Sequence, residues 1–322
     1  MTDSGQPRIS AAIVNWNSGQ YLRDCLASIL DQKLPPCELV VVDNASTDDS
    51  VACGRAALDE RSAPGLPPVR WIMNRENTGF SRAANQGIAA TGGDWFLLLN
   101  PDVILSPDFL AEAWSALRAR PTVGLLAGKV LRFDRRTIDT AGQFLRPSRR
   151  VRERGYGDLD RGQYDRAGEV FSVCGAVALY RRAMLEDIAV AGEYFDEDFF
   201  AFFEDADLGW RAQRGGWRGW YQPTAVAYHA RGGTNPTEGA RRWARWQMPR
   251  RPLEIQFHIL VNRYLMLIKN ESAGAFLLHL PALAWAELVD WGYVLFVQPR
   301  LLAYAPRAAS LMLRAFAKRR TR

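Results

Sequence analysis

The first 105 residues repeat one device: a short β-branched or leucine-rich run that ends in asparagine or aspartate. "ISAAIVNWN" ends at Asn15 and Asn17, "ELVVVDNAS" at Asp43 and Asn44, "VRWIMN" at Asn74, and "LLLNPD" at Asn100 and Asp102. Helical spacing fills the gaps: 18–31, which Ser18 is placed to cap, a segment that Asp48 is placed to cap, and 78–90 with small residues on one face. A helix over 107–120 and a strand in "VGLLAGKVL" follow. This alternation predicts an α/β fold around a mostly parallel sheet with right-handed crossovers. In such sheets ligands bind beyond the carboxyl ends of the strands, so the polar strand ends are the first candidates for a site. None leads into GxGxxG or GxxxxGK(S/T), which leaves a dinucleotide fingerprint and a P-loop unsupported.

Each candidate has two readings. Asn-Pro-Asp is ordinary turn chemistry, but a carboxylate delivered by a buried strand also suits Mg²⁺ or Mn²⁺ bound together with substrate phosphates. Asp43, with Asn44 and Ser46 beside it, is either a turn and helix cap or an acceptor for the N3–H of a pyrimidine ring. His229 in "VAYHARGGT" follows another strand, as a satisfied turn residue or as a further metal ligand. "FFEDADLGWR" opens a helix that ends near Gly215. There the helix dipole favours acids, and Asp207 with Arg211 has i,i+4 spacing. Phe199, Phe200, Phe202 and Phe203 beside Glu204 and Asp205 are equally an apolar wall that raises a carboxyl pKa and suits general-base work. Gly175 in "VFSVCGAVALYRR" leaves room for a ligand or a neighbouring backbone.

Residues 132–168 are polar and rich in arginine and glycine, and read as a long excursion, a mobile flap with little to bury. The net charge is +6, unevenly spread: five arginines lie between Gly239 and Arg251, and seven basic residues follow Gln298 with no acidic one. Anionic substrate, anionic lipid, nucleic acid or a solvated face each fit that distribution. The aromatics in "RRWARWQMPRR" match no nucleic-acid-binding motif, so nucleic acid is not expected. After Pro252 the chain turns helical and apolar. His279, Glu287 and Asp290 interrupt the second apolar run, leaving it short of a ~20-residue span. Aromatic-rich amphipathic helices flanked by arginines suit a bilayer surface; packing on the rest of the chain or on a second subunit is the other reading. Four separated cysteines with no CxxC pair, and an N-terminus without an apolar core, predict a reducing cytoplasm, no structural zinc and no secretion signal.

The blocks "AIVNWNSGQYLRDCLASI", "VVVDNASTDDS", "NRENTGFSRAANQGI", "GDWFLLLNPDV", "CGAVALYRRAML" and "FDEDFFAFFEDADLGWRAQRGGWRGWYQPTAVAYH" resemble, in order and over residues 8 to 235, the family 2 glycosyltransferases of the GT-A fold. The last two blocks look most like bacterial rhamnosyltransferases of cell-surface polysaccharide assembly. The resemblance implies a nucleotide-sugar-binding GT-A domain over 1–235, including the 132–168 flap, and a helical, basic, membrane-associating extension over 236–322. It implies Asp43 on the nucleotide base and Asn15 and Asn17 near the nucleoside, with Asn44, Asn77, Gly79, Asn85 and Asn100 also on the donor side. Asp102 falls on the metal and diphosphate, His229 on the metal, and Asp205 at the catalytic base supported by Glu204. Trp210 and Arg211 fall on the acceptor or diphosphate side. The implied reaction is inverting transfer with Mg²⁺ or Mn²⁺. Its donor is dTDP-rhamnose or else a UDP- or GDP-sugar, and its acceptor a glycan or polyprenyl-diphosphate-linked sugar at the inner face of the plasma membrane. One departure stands out: the family's Asp-x-Asp begins here with Asn100, which brings no charge. A non-catalytic nucleotide-sugar-binding scaffold is the alternative.

Overall fold

The computed structural model describes residues 7–61, 65–231 and 248–320. β1 (Ile9–Asn15), β2 (Glu38–Asp43), β3 (Val69–Met73) and β4 (Trp95–Leu99) pair in parallel in the order β3-β2-β1-β4. The helices α1 (Tyr21–Leu30), α2 (Ser50–Asp59) and α3 (Phe80–Ala89) connect them. Every residue of β1 and β4 is buried, which is why their sequences run apolar on both faces rather than alternating. α3 lies close on the sheet because its facing residues are small: a Cβ added at Gly87 would stand 2.8 Å from that of Ala12.

β5 (Val103–Leu105), α4 (Phe109–Leu117) and β6 (Val123–Arg132) follow. Next come the short β7 (Ile138–Thr140), β8 (Gln143–Leu145), β9 (Val151–Glu153) and β10 (Gly168–Val170), then β11 (Val177–Arg181), α5 (Arg182–Asp187), α6 (Glu204–Arg214) and β12 (Arg218–His229). β11 lies antiparallel between β4 and β6, and β12 runs parallel to β6 beyond it. The full order is β10-β12-β6-β11-β4-β1-β2-β3, with β5 on β12 and β7 on β6. Consequently β1, β2, β3, β4, β6 and β12 all point one way. Their ends, at Asn15, Asp43, Asn74, Asn100–Asp102, Arg132 and His229, share one edge with the start of β11.

Of three local expectations, two change and one, at Asp48, is met. Ser18 does not cap α1; its hydroxyl donates to Asn15 Oδ1 instead. Asp48 does accept the first N–H of α2, from Ser50 at 3.2 Å, and also that of Gly19 at 2.7 Å. The expectation that little of 132–168 is buried fails: Ile138, Asp139, Thr140, Ala141 and Gln143 are all buried. Antiparallel pairing of β7 on β6 and of β8 on β9, with a bridge from Gln143 to Ser172, folds this stretch over the sheet edge.

Beyond β12 the chain builds a third core. The long helix Leu253–Asn270 packs against α6, with Phe257, Leu265 and Met266 against Phe199 and Trp210, and the terminal helix Ala305–Arg319 adds Leu311 and Ala315. Lys269, fully buried, reaches Asp196 at 2.5 Å and Asp198 at 3.2 Å. The helical run Leu280–Val297 has mean hydropathy 1.3 and is 11% buried, enough by length and composition alone to cross a membrane. The expectation that His279, Glu287 and Asp290 leave this run short of a span is not met by length and composition, and the two acids within it turn away from the exposed face. Glu287 bonds Arg263 and Tyr264, and Asp290 bonds Arg150, all on the protein side. Trp285, Leu288 and Phe296 stay exposed, Phe296 to 86%. The arginines at 241, 242 and 245 lie outside the described residues.

Candidate active site

At the ends of β1–β3 the polar groups satisfy one another. Asn15, fully buried, donates to Asp43 Oδ1 at 2.8 Å and to Ser50 Oγ at 2.9 Å, while the other oxygen of Asp43 accepts the Ser46 N–H at 3.1 Å. Asn17, at φ 48°, accepts the N–H of Thr47 at 2.8 Å. Asn44 donates to Asn77 Oδ1 at 2.9 Å and accepts from Asn74 Nδ2 and from the Thr78 N–H, both at 3.0 Å. The end of β2 is thereby stitched to the turn before α3. In that turn Gly79 has φ 85°, and a Cβ there would stand 2.6 Å from the carbonyl oxygen of Phe200, so the 195–203 loop can approach only a glycine.

The opposite half is charged. Asn100 donates its N–H to Ala176 O at 2.8 Å, and the chain then turns Asp102 toward the end of β12, where Asp102 Oδ1 lies 3.3 Å from His229 Nε2. His229 Nδ1 meets Asp139 Oδ2 at 2.9 Å. The second oxygen of Asp139 is bonded by Arg231. Burial alone would depress the imidazole's pKa, but the flanking Asp102 and Asp139 outweigh it and raise His229 to about 9. Asp139 is correspondingly held down at about 2 by His229 and Arg231 against its own burial. An imidazole nitrogen beside a carboxylate oxygen, with the far ring nitrogen fixed by a second carboxylate, is the donor arrangement of a divalent-cation site. Among the described residues no three or more ligating groups converge, so substrate phosphates would have to complete the coordination of a cation held by this pair.

The acid pair opens α6 on the same edge. Phe202 and Phe203 precede it, both left-handed at φ 72° and 69°, a conformation costly for bulky residues. The long C-terminal helix holds them: Asn262 Nδ2 donates to the carbonyls of Ala201 and Phe202, each at 2.8 Å, and His258 stacks on Phe200. Asp205 accepts from the Gly175 N–H at 2.9 Å, the Ala206 N–H at 2.7 Å and Gln143 Nε2 at 3.0 Å. Gly175 is bare where a Cβ would lie 3.5 Å from that of Asp205, so the room expected there accommodates the acid. Desolvation raises the pKa of Asp205, and its donors oppose that rise. Glu204 has a buried oxygen with no partner. Burial and the neighbouring Asp205 charge push it up to about 8. Of two adjacent carboxyls, Glu204 is therefore the one that keeps its proton near neutrality and Asp205 the one supplied with three N–H donors.

Three expected residues do not join these groups. The Arg211 guanidinium turns inward to Asp207 at 2.8 Å, Ile188 O at 2.8 Å and Tyr194 O at 2.7 Å. Trp210 packs edge-on to Phe171 in the third core. Asn85 clamps the backbone of Phe195, donating and accepting at 2.8 Å. Conversely, Asp139, Gln143 and Glu153 stand in the site without having been expected there. The one local signal for Asp139 and Gln143 is that 137–145 is free of arginine within an arginine-rich stretch, whereas Glu153, between Arg152 and Arg154, carries none.

A profile described as glycosyltransferase like family 2 matches residues 7–249. An N-acetylglucosaminyltransferase of Azorhizobium caulinodans is 28% identical over 236 residues, 69% of this chain and 54% of the relative, so the chain spans about half that protein's length. An N-acetylglucosaminyl-diphospho-decaprenol L-rhamnosyltransferase of Mycobacterium tuberculosis is 26% identical over 238 residues, 67% of this chain and 74% of the relative. Among solved structures, a Pyrobaculum calidifontis mannosyltransferase in complex with GDP-Man and Mn²⁺ superposes with TM-score 0.57 at 21% identity, covering 98% of this chain and 76% of its own. Residues 1-349 of S. aureus TarS give TM-score 0.58 at 17% identity, covering 96% of this chain and 81% of that one. At such identities the likeness is one of fold.

Proposed function

The chain belongs to glycosyltransferase-like family 2 and has the GT-A fold, and from that premise we propose that it is an inverting glycosyltransferase. The observation that carries this reading is the pair at the head of α6: Asp205, bonded by three N–H donors, beside Glu204, whose carboxyl burial and the Asp205 charge push up to about 8. Asp205 takes the proton of an acceptor hydroxyl. That oxygen forms its bond to the anomeric carbon from the face opposite the leaving group, and the carbon–oxygen bond to the phosphate breaks with its electron pair going to the nucleoside diphosphate. Glu204, neutral, keeps a second negative charge away from the base. Asp43, presented by Asn15 and the Ser46 N–H, receives the nucleotide base. Asp102 and His229 would hold Mg²⁺ or Mn²⁺, which when bound offsets charge on the departing diphosphate. Asp139 fixes the orientation of His229.

The preferred donor is dTDP-rhamnose and the preferred acceptor a polyprenyl-diphosphate-linked sugar, in bacterial cell-surface polysaccharide synthesis. The order of the motifs and the mycobacterial relative support this choice. The Leu280–Val297 face, with its acids turned to protein and its tryptophan, leucine and phenylalanine outward, supports a peripheral position on the cytoplasmic face of the plasma membrane. Release of nucleoside diphosphate from dTDP-rhamnose, UDP-N-acetylglucosamine and GDP-mannose tests the reading, with a polyprenyl-diphosphate N-acetylglucosamine as acceptor and Mn²⁺, Mg²⁺ or EDTA present. Acceptor-stimulated release from one donor, lost in Asp205→Asn, is expected. Nucleotide binding without transfer from any donor would leave the scaffold alternative in its place.

A further inference from the structure

The excursion from β6 brings two side chains to Asp205: Gln143, one of its three donors, and Glu153, to which the reaction above gives no part. Gln143, 5% exposed, donates from its Nε2 to Asp205 Oδ2 at 3.0 Å and to Glu153 Oε1 at 2.9 Å. The other oxygen of Glu153 accepts the Thr140 hydroxyl. Gln143 Oε1 is left buried with no partner. An amide facing two carboxylates must present its NH₂ to both, and the stranded carbonyl is the consequence. The backbone docks this amide firmly: Gln143 N–H donates to Ser172 O at 2.9 Å, and Ser172 Oγ donates to Asp205 O at 2.8 Å.

We propose that Gln143 and Glu153 are positioning residues for the catalytic base. The amide fixes the Asp205 carboxylate and favours its charge, Glu153 opposes that charge, and the two together set how strongly Asp205 draws a proton. This rests on the reading of Asp205 as the base. Around Glu153 stand Thr140, Gln143, Asp205, the Cys174 thiol and Arg231, which is itself bonded to Asp139. Around Asp205 stand Glu204, Cys174, the Tyr180 hydroxyl, and the N–H groups of Gly175 and Ala206. Withdrawal from water and the Asp205 charge raise Glu153 to about 7. Repulsion between two carboxylates acts on both partners, so Glu153, where it is ionised, opposes the Asp205 charge in turn.

Two substitutions pull in opposite directions. Glu153→Gln removes a negative charge at nearly constant shape, so the acid limb of the rate profile moves to lower pH by about half a pH unit or more, and the plateau falls several-fold as the base weakens. Gln143→Leu removes a donor, and the limb moves to higher pH; Gln143→Asn, which shortens the reach, replaces it should the leucine variant not fold. A merely structural role lowers both rates with the limb unmoved, or moves both limbs one way, and either result overturns the proposal. The readout is nucleoside diphosphate release from dTDP-rhamnose, UDP-N-acetylglucosamine or GDP-mannose with Mn²⁺.

A second arm needs no donor: thermal unfolding from pH 5.5 to 8.5 of the full chain, Glu153→Gln, Asp205→Asn and the double variant. Glu153→Gln is expected to raise Tm at pH 8.5 relative to pH 5.5, and to do so less in the Asp205→Asn background, where the opposing charge is gone. Equal gains in both backgrounds overturn the pairing. Coupled gains with no turnover of any donor uphold the pairing and count instead against glycosyl transfer.

Discussion

The two halves of the sheet edge are built on opposite principles. At the ends of β1–β3 the side chains are mostly amides, and donors match acceptors: Asn44 alone engages Asn74, Asn77 and Thr78. At the ends of β4 and β12 and the head of α6 they are mostly carboxylates. There Glu204, Gln143 and Tyr180 each keep a buried oxygen without a partner among the described residues. Amides that satisfy each other fix a shape at no cost in charge. Clustered acids with few donors keep one proton too many or too few, a condition suited to a place where a proton changes hands. The first half holds its shape by its own hydrogen bonds, whereas the second leaves polar atoms unmatched.

Removing the proposed base strains that contrast most. Asp205→Asn should lower transfer by about 10²–10⁴-fold, with the dissociation constant for nucleotide, read by isothermal titration, nearly unchanged. Retained turnover would place the chemistry elsewhere. Asp139→Asn, one bond behind His229, should weaken Mn²⁺ binding in the presence of nucleotide by about 10–100-fold, measured by the same titration; unchanged affinity would detach the ion from His229. In the amide half, Asn44→Ala should act on stability, by about 1–3 kcal/mol in chemical denaturation, and leave the pH profile of activity where it was. A displaced profile would mean the halves are coupled. The smallest effect concerns Glu204. Its folded pKa of about 8 lies above its unfolded value, so the stability it contributes is complete below about 4.5 and is lost as pH rises through 8. Glu204→Gln should therefore flatten the fall in Tm between pH 6 and pH 9, by about 2–4 °C.

The strands and their polar ends were legible because burial on both faces writes an unbroken apolar run, and Asn or Asp stops it. Arg211 was legible too, but through its i,i+4 spacing to Asp207, and the structure realises that spacing as an ion pair inside the protein. What stayed hidden was contributed by the excursion. Asp139 and Thr140 are neighbours on β7, one bonded to His229 and the other to Glu153. That arrangement depends on the register of β7 against β6 and of Gln143 against Ser172, pairings between distant segments that no local pattern announces. Arginine and glycine dominate the composition there and conceal a few buried positions.

The grip of Asn262 on Ala201 and Phe202 carries a consequence for recombination. The left-handed pair Phe202–Phe203 aims α6, yet the side chain that steadies it comes from sixty residues later. Lys269 on Asp196 and Asn270 on Asp207, the latter at 2.6 Å, add further ties between the same two segments. A crossover with a relative placed between β12 and the long helix would hand one parent's turn to the other parent's clasp. The heritable cassette is thus discontinuous: residues 196–207 travel with 253–270, or the aim of the acids is lost.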